Sequence, residues 1–86
     1  MTAEERVLCY GFEDVKILKD YGYDDALIGV TVDNRAVYDY DKMVQWLMEH
    51  EEFESDLDAI EWIEYNTLRA IPYFGEDAPI VMFPID

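Results

Sequence analysis

The sequence predicts an α+β domain: an N-terminal helical segment, a β-hairpin, two consecutive helices and a C-terminal strand, with the helices on one face of a small, mainly antiparallel sheet. Three observations carry that reading. The stretch "ALIGVTVDNRAVYDY" alternates like two strands about a turn. "DYDKMVQWLMEHEEF" and "SDLDAIEWIEYNTLRAI" repeat with helical periodicity behind cap residues. "IVMFPI" is a short apolar run closed by prolines.

In chain order, Thr2 and Glu5 match the capping box S/T-x-x-E ahead of Val7 and Leu8, which starts a helix. Gly11 weakens it, and Phe12, Val15 and Leu18 restart a helical pattern with Gly22 as its stop. One helix over 3–21, or a short element and then a helix, both satisfy that pattern. In the hairpin, a two-residue turn at Asp33-Asn34 pairs Val32 with Arg35 and Val30 with Val37. That register puts Ile28, Val30, Val32 and Val37 on the core face and Thr31, Ala36 and Tyr38 on the more solvent-tolerant one; a three-residue loop with Asn34 left-handed shifts it.

Asp39 caps the next helix, with Tyr40, Met43, Val44 and Leu47 inside, Trp46 and Met48 at the margins, and Asp41, Lys42, Gln45, Glu49 and Glu52 on the polar face. Ser55 caps a further helix with Asp58 as reciprocal partner. Its buried stripe is Leu57, Ile60, Ile63, Thr67, Leu68 and Ile71, and Pro72 ends it. "YFGEDAP" reads as a loop, and Pro79 and Pro84 limit the last strand to about three or four paired residues.

At 86 residues the chain, 1–86, is a single domain. An apolar fraction of 51% supplies a core, and 15% aromatic residues argue against disorder. No apolar run is long enough to span a membrane, and the N-terminus lacks the basic and apolar regions of a secretory signal. The one cysteine, Cys9, forms no internal bridge or metal framework; a reduced, half-buried thiol in a cytoplasmic protein is the expectation. A net charge of −15 repels DNA, RNA and anionic membranes and attracts basic surfaces, although solubility alone is a competing use for it.

Arg35-Ala36-Val37-Tyr38-Asp39, Trp62-Ile63-Glu64-Tyr65-Asn66-Thr67 and Ala78-Pro79-Ile80 carry a resemblance over roughly residues 24–85. In wording, the chain resembles a group of small acidic proteins encoded by bacteriophages and mobile elements of low-GC Gram-positive gut bacteria. The resemblance implies a phage or mobile-element product acting in the cytoplasm of a bacterial host cell. It supplies a setting and no reaction, and residues 1–22 stand outside it as a variable N-terminal extension.

For chemistry the sequence offers little, and it predicts no enzyme: no catalytic residue, no cofactor and no metal. Cys9 and His50 are each the only one of their kind, and pairing them needs coincidence. The four glycines form no phosphate loop. Asp56, Asp58 and Glu61 are close in sequence but lack the central glycine of a calcium loop, and the Ser55 cap explains the two aspartates without an ion. Glu64 falls within the apolar stripe, which predicts a buried carboxylate with Arg35 as its partner, locking helix to sheet.

What is distinctive is "EHEEFESDLDAIEWIEY", from Glu49 to Tyr65, with eight carboxylates and no Lys or Arg. B-form DNA presents a phosphate about every 1.7 Å of axis, and carboxylates on a helix and its flanking loop approach that density. On the outer side, Trp62 and Tyr65 are residue types that dominate binding hot spots, though Trp62 could instead pack beneath the N-terminal segment. The expected site is therefore a partner-binding face: Glu49, Glu51, Glu52, Glu54, Asp56, Asp58 and Glu61 for charge, Trp62 and Tyr65 for anchorage. The expected partner is a basic nucleic-acid-binding protein, such as a host defence nuclease or its complex, inhibited by DNA mimicry of the anti-CRISPR or anti-restriction kind. The alternative is a structural or regulatory homodimer joined through the exposed aromatics.

Overall fold

A computed structural model describes residues 1–18 and 22–85. The α+β architecture is as expected. Helix α1 (Ala3–Cys9) is followed by the hairpin β1 (Leu27–Val30) and β2 (Ala36–Asp39). Then come α2 (Tyr40–His50), α3 (Asp56–Trp62), the short α4 (Leu68–Ala70) and the strand β3 (Ile80–Met82). The sheet order is β1-β2-β3. The first pair is antiparallel and β3 joins parallel to β2, so the three-stranded sheet is mixed. A parallel partner requires a crossover, and the helices of residues 40–74 provide it.

The capping box forms: the Thr2 hydroxyl accepts from Glu5 N–H at 3.1 Å, and Glu5 Oε1 accepts from Thr2 N–H at 3.2 Å. Those bonds, the backbone one foremost, hold the Glu5 carboxyl below its usual range. The helix ends earlier than the sequence pattern implies. Gly11 sits at φ 89°, with Phe12 N–H on Val7 C=O at 2.9 Å and Gly11 N–H on Leu8 C=O at 3.0 Å, the two bonds of a Schellman stop. The restarted helix is absent over residues 12–18; its predicted end at 19–21 lies outside the described residues.

That segment is pinned without helical bonds. Leu18 N–H donates to the Tyr38 hydroxyl at 3.2 Å, and Lys16 Nζ pairs with Asp77 at 2.7 Å and also donates to the Phe74 carbonyl. The Lys16 ammonium holds the Asp77 carboxyl below its usual range. Gly22 is no helix stop. A Cβ there would lie 2.6 Å from Asp24 Oδ1, the atom that accepts Ala3 N–H at 2.7 Å, so glycine leaves room for a second cap on α1.

The hairpin register follows the three-residue loop. Asn34 is left-handed at φ 67°, its N–H bonds Thr31 C=O at 3.0 Å, and Thr31 N–H bonds Arg35 C=O at 2.8 Å. Val30 therefore faces Ala36 and Gly29 faces Val37, and a bulge at Ile28 returns Leu27 to Tyr38. The predicted faces are reversed. Leu27, Ala36 and Tyr38 are buried, whereas Ile28 and Val32 are exposed and Val37 is half-buried. Shifting the register by one residue turns a strand over, and here the loop length decides it.

Tyr23, itself left-handed at φ 47°, inserts between Tyr38 (centroids 6.5 Å apart, edge-on) and Trp46 (5.5 Å). Its hydroxyl shares a 2.9 Å hydrogen bond with Thr67. Tyr23, Tyr38, Met43, Leu47 and Ile63 are fully buried and form the centre of the core. Burial pushes the Tyr38 phenol up to about 12 and also raises Tyr40, near the Glu64 carboxylate.

Candidate functional site

The acidic segment begins at the last turn of α2 and runs to the end of α3. Asp39 caps α2 by accepting Lys42 N–H at 3.1 Å. Tyr40, Met43 and Leu47 face the core, which turns Gln45 and Glu49 outward. At its end the His50 ring stacks on Trp46 with centroids 4.4 Å apart, and Nδ1 lies 3.0 Å from the Trp46 carbonyl. Glu51 N–H closes the helix on Leu47 C=O at 2.9 Å. Ser55 then caps α3 by accepting Asp58 N–H at 3.3 Å.

The carboxylates stand outside. Glu49, Glu52, Glu54, Asp56, Asp58 and Glu61 are exposed and Glu51 is half-buried. Glu49 accepts a 3.2 Å bond from Gln45. None of the seven has an ion pair among the described residues, where Lys16–Asp77 is the one such pair. The chain's other described guanidinium groups are engaged elsewhere: Arg6 on the Asp24 carbonyl, Arg35 on the Ala78 carbonyl at 2.8 Å, and Arg69 over the Tyr65 ring at 5.2 Å. The acids do not converge either. Among the described residues no three His, Cys, Asp or Glu come together in a way that could hold a metal ion. They lie spread along a surface.

Residues 63–67 form a single π-helical turn between α3 and α4, and Pro72 sits inside a 3₁₀ turn over Ile71–Phe74 that extends the helical run past the expected end. A π turn holds more residues than an α turn, so side chains beyond it lose the phase that regular periodicity assigns them. The expected stripe is accordingly rearranged. Ala59, Ile63 and Thr67 are buried, Ile60, Leu68 and Ile71 are half-buried, and Leu57 is exposed. Glu64 is exposed rather than buried, and Arg35 donates to a carbonyl; the expected Glu64–Arg35 lock is absent.

The two expected anchors differ in setting. Trp62 is half-buried, with its ring 6.4 Å from Phe53, and belongs to the core margin. Tyr65 is exposed. Two residues that sequence reasoning missed, Leu57 and Tyr73, are also exposed; their spacing of eight on either side of Tyr65 was the available signal. Cys9 is exposed, not half-buried, because the early helix stop leaves it on the outer side of the last turn of α1. No helix among the described residues is long and apolar enough to cross a membrane. No family model, curated protein or solved structure matches this chain.

Proposed function

We propose that this chain is a non-enzymatic interaction protein that engages a basic, nucleic-acid-handling protein by offering carboxylates where that protein expects phosphates. The observation that supports this most is the state of residues 49–61: six exposed carboxylates and a seventh half-exposed, none ion-paired within the chain among the described residues. Unneutralised acids repel one another and cost stability, so a stretch that keeps seven of them has a reason outside the fold. Their spread along a helix, loop and helix suits a nucleic-acid channel better than a metal, which needs convergent ligands. In this reading the chain is a phage or mobile-element product acting in the bacterial cytoplasm against a host defence nuclease.

Displacement of DNA from a restriction or CRISPR nuclease tests it. The chain should compete with DNA, inhibit cleavage and bind at least about tenfold more weakly when salt rises from about 50 to about 500 mM. Replacing Glu49, Glu51, Glu52 and Glu54 by Gln should abolish inhibition. Affinity indifferent to salt and to those substitutions would overturn the proposal, and a stable homodimer in sedimentation, lost on Trp62→Ala, would favour a self-association module.

A further inference from the structure

We infer that the outer ridge of residues 57–73, with Leu57, Tyr65 and Tyr73 as its apolar steps, docks an amphipathic helix of the partner that bears Lys or Arg on both sides of an apolar seam. This inference rests on the reading above and adds what the acidic surface alone lacks: an anchor and the shape of its occupant.

Leu57 is 63% exposed, Tyr65 64% and Tyr73 92%, large apolar side chains left in water by a chain that buries its other aromatics well. They recur every eight residues, with Glu61 and Arg69 at the intermediate positions, so the five stand in one row of spacing four. In a regular α-helix each step of four overshoots a full turn by about 40° and such a row winds round the helix. The π turn at Ile63–Thr67 falls short of a full turn in four and offsets part of that winding. Arg69, 5.2 Å over the Tyr65 ring, shows that the row is continuous there and holds the ring in place.

Rows of spacing four are the ridges by which helices pack into one another's grooves. This ridge covers about 24 Å at 1.5 Å per residue, the reach of a partner helix of four to five turns. Charge selects among helices. Asp58, Glu61 and Glu64 are exposed beside the ridge, so an occupant gains by bringing cations to its flanks. A second copy of this chain brings the same acids and a further −15, and is disfavoured.

Two blocked peptides of equal positive charge test the inference: a helical one of alternating lysine and leucine faces, and one in which serine replaces leucine. By calorimetry the first should bind the whole chain at least about tenfold more tightly than the second. Tyr65→Ser with Tyr73→Ser, both at exposed positions, should erase that preference and leave affinity for the serine peptide unchanged. Neutralising Glu49, Glu51, Glu52 and Glu54 should weaken both peptides. Equal affinities in the unmodified chain, or a preference that survives the double substitution, would overturn the ridge while leaving the acidic reading intact. Binding of neither peptide would remove the acidic reading as well. Dimerisation that the double substitution dissolves would assign the ridge to a second copy.

Discussion

The aromatic centre around Tyr23 and the acidic arm of residues 49–64 are built on opposite terms. In the centre, Tyr23, Tyr38 and Trp46 pack ring against ring, and the Tyr23 hydroxyl ends on Thr67. In the arm, carboxylates stand in water with none of the chain's own described cations paired to them. The centre holds the fold; the arm draws on the fold and returns nothing to it. Such separation lets a small domain carry extreme charge, because the groups that repel one another are not the groups that pack.

The largest effect that would sharpen this contrast lies in the centre. Ile63→Ala removes a fully buried side chain beside the π turn and should cost about 2 to 5 kcal/mol, read as a lower urea midpoint with an unchanged slope. Alkali comes next. The folded state holds the Tyr38 phenol at about 12, above the ordinary value of 10.0, so the unfolded chain gives up its proton first. Stability is whole below pH 10 and falls as pH rises to about 12, by roughly 2 to 3 kcal/mol. Tyr38→Phe should flatten that fall in a pH series of melting curves.

Tyr23→Phe keeps the ring and loses the bond to Thr67, at about 1 to 2 kcal/mol in the same assay. The smallest change has the opposite sign. Replacing Glu49, Glu51, Glu52 and Glu54 by Gln should stabilise the fold by up to about 1 kcal/mol at low salt, with the gain shrinking as salt is added. Unfolding on that substitution would break the division between the two regions.

Signals confined to a few residues were legible in the sequence. The Thr2 and Glu5 box, the Asp39 and Ser55 caps, the α2 core face and the proline-bounded last strand need only local chemistry, and all are present. The errors arise where one residue sets the phase of many. Asn34 in the left-handed region makes a three-residue loop and turns the hairpin over, and the π turn moves Glu64 from the expected interior to the surface. The spacing of Phe12, Val15 and Leu18 looks helical, yet Gly11 has already stopped α1 and the segment is held by bonds to Tyr38, Phe74 and Asp77, distant in sequence. At the candidate site, exposure of the acids followed from their number and position. The half-buried setting of Trp62 and the openness of Leu57 and Tyr73 depend on the wide turn, which no periodicity discloses.

That wide turn has a bearing on how the surface could change over generations. One surplus residue in the 63–67 loop of the helix sets the angular address of everything after it. A single-codon deletion there would swing Arg69 and Tyr73 by about 100° without altering any later letter of the sequence. Length variation at this spot would thus redraw what the molecule shows its surroundings faster than point substitution can.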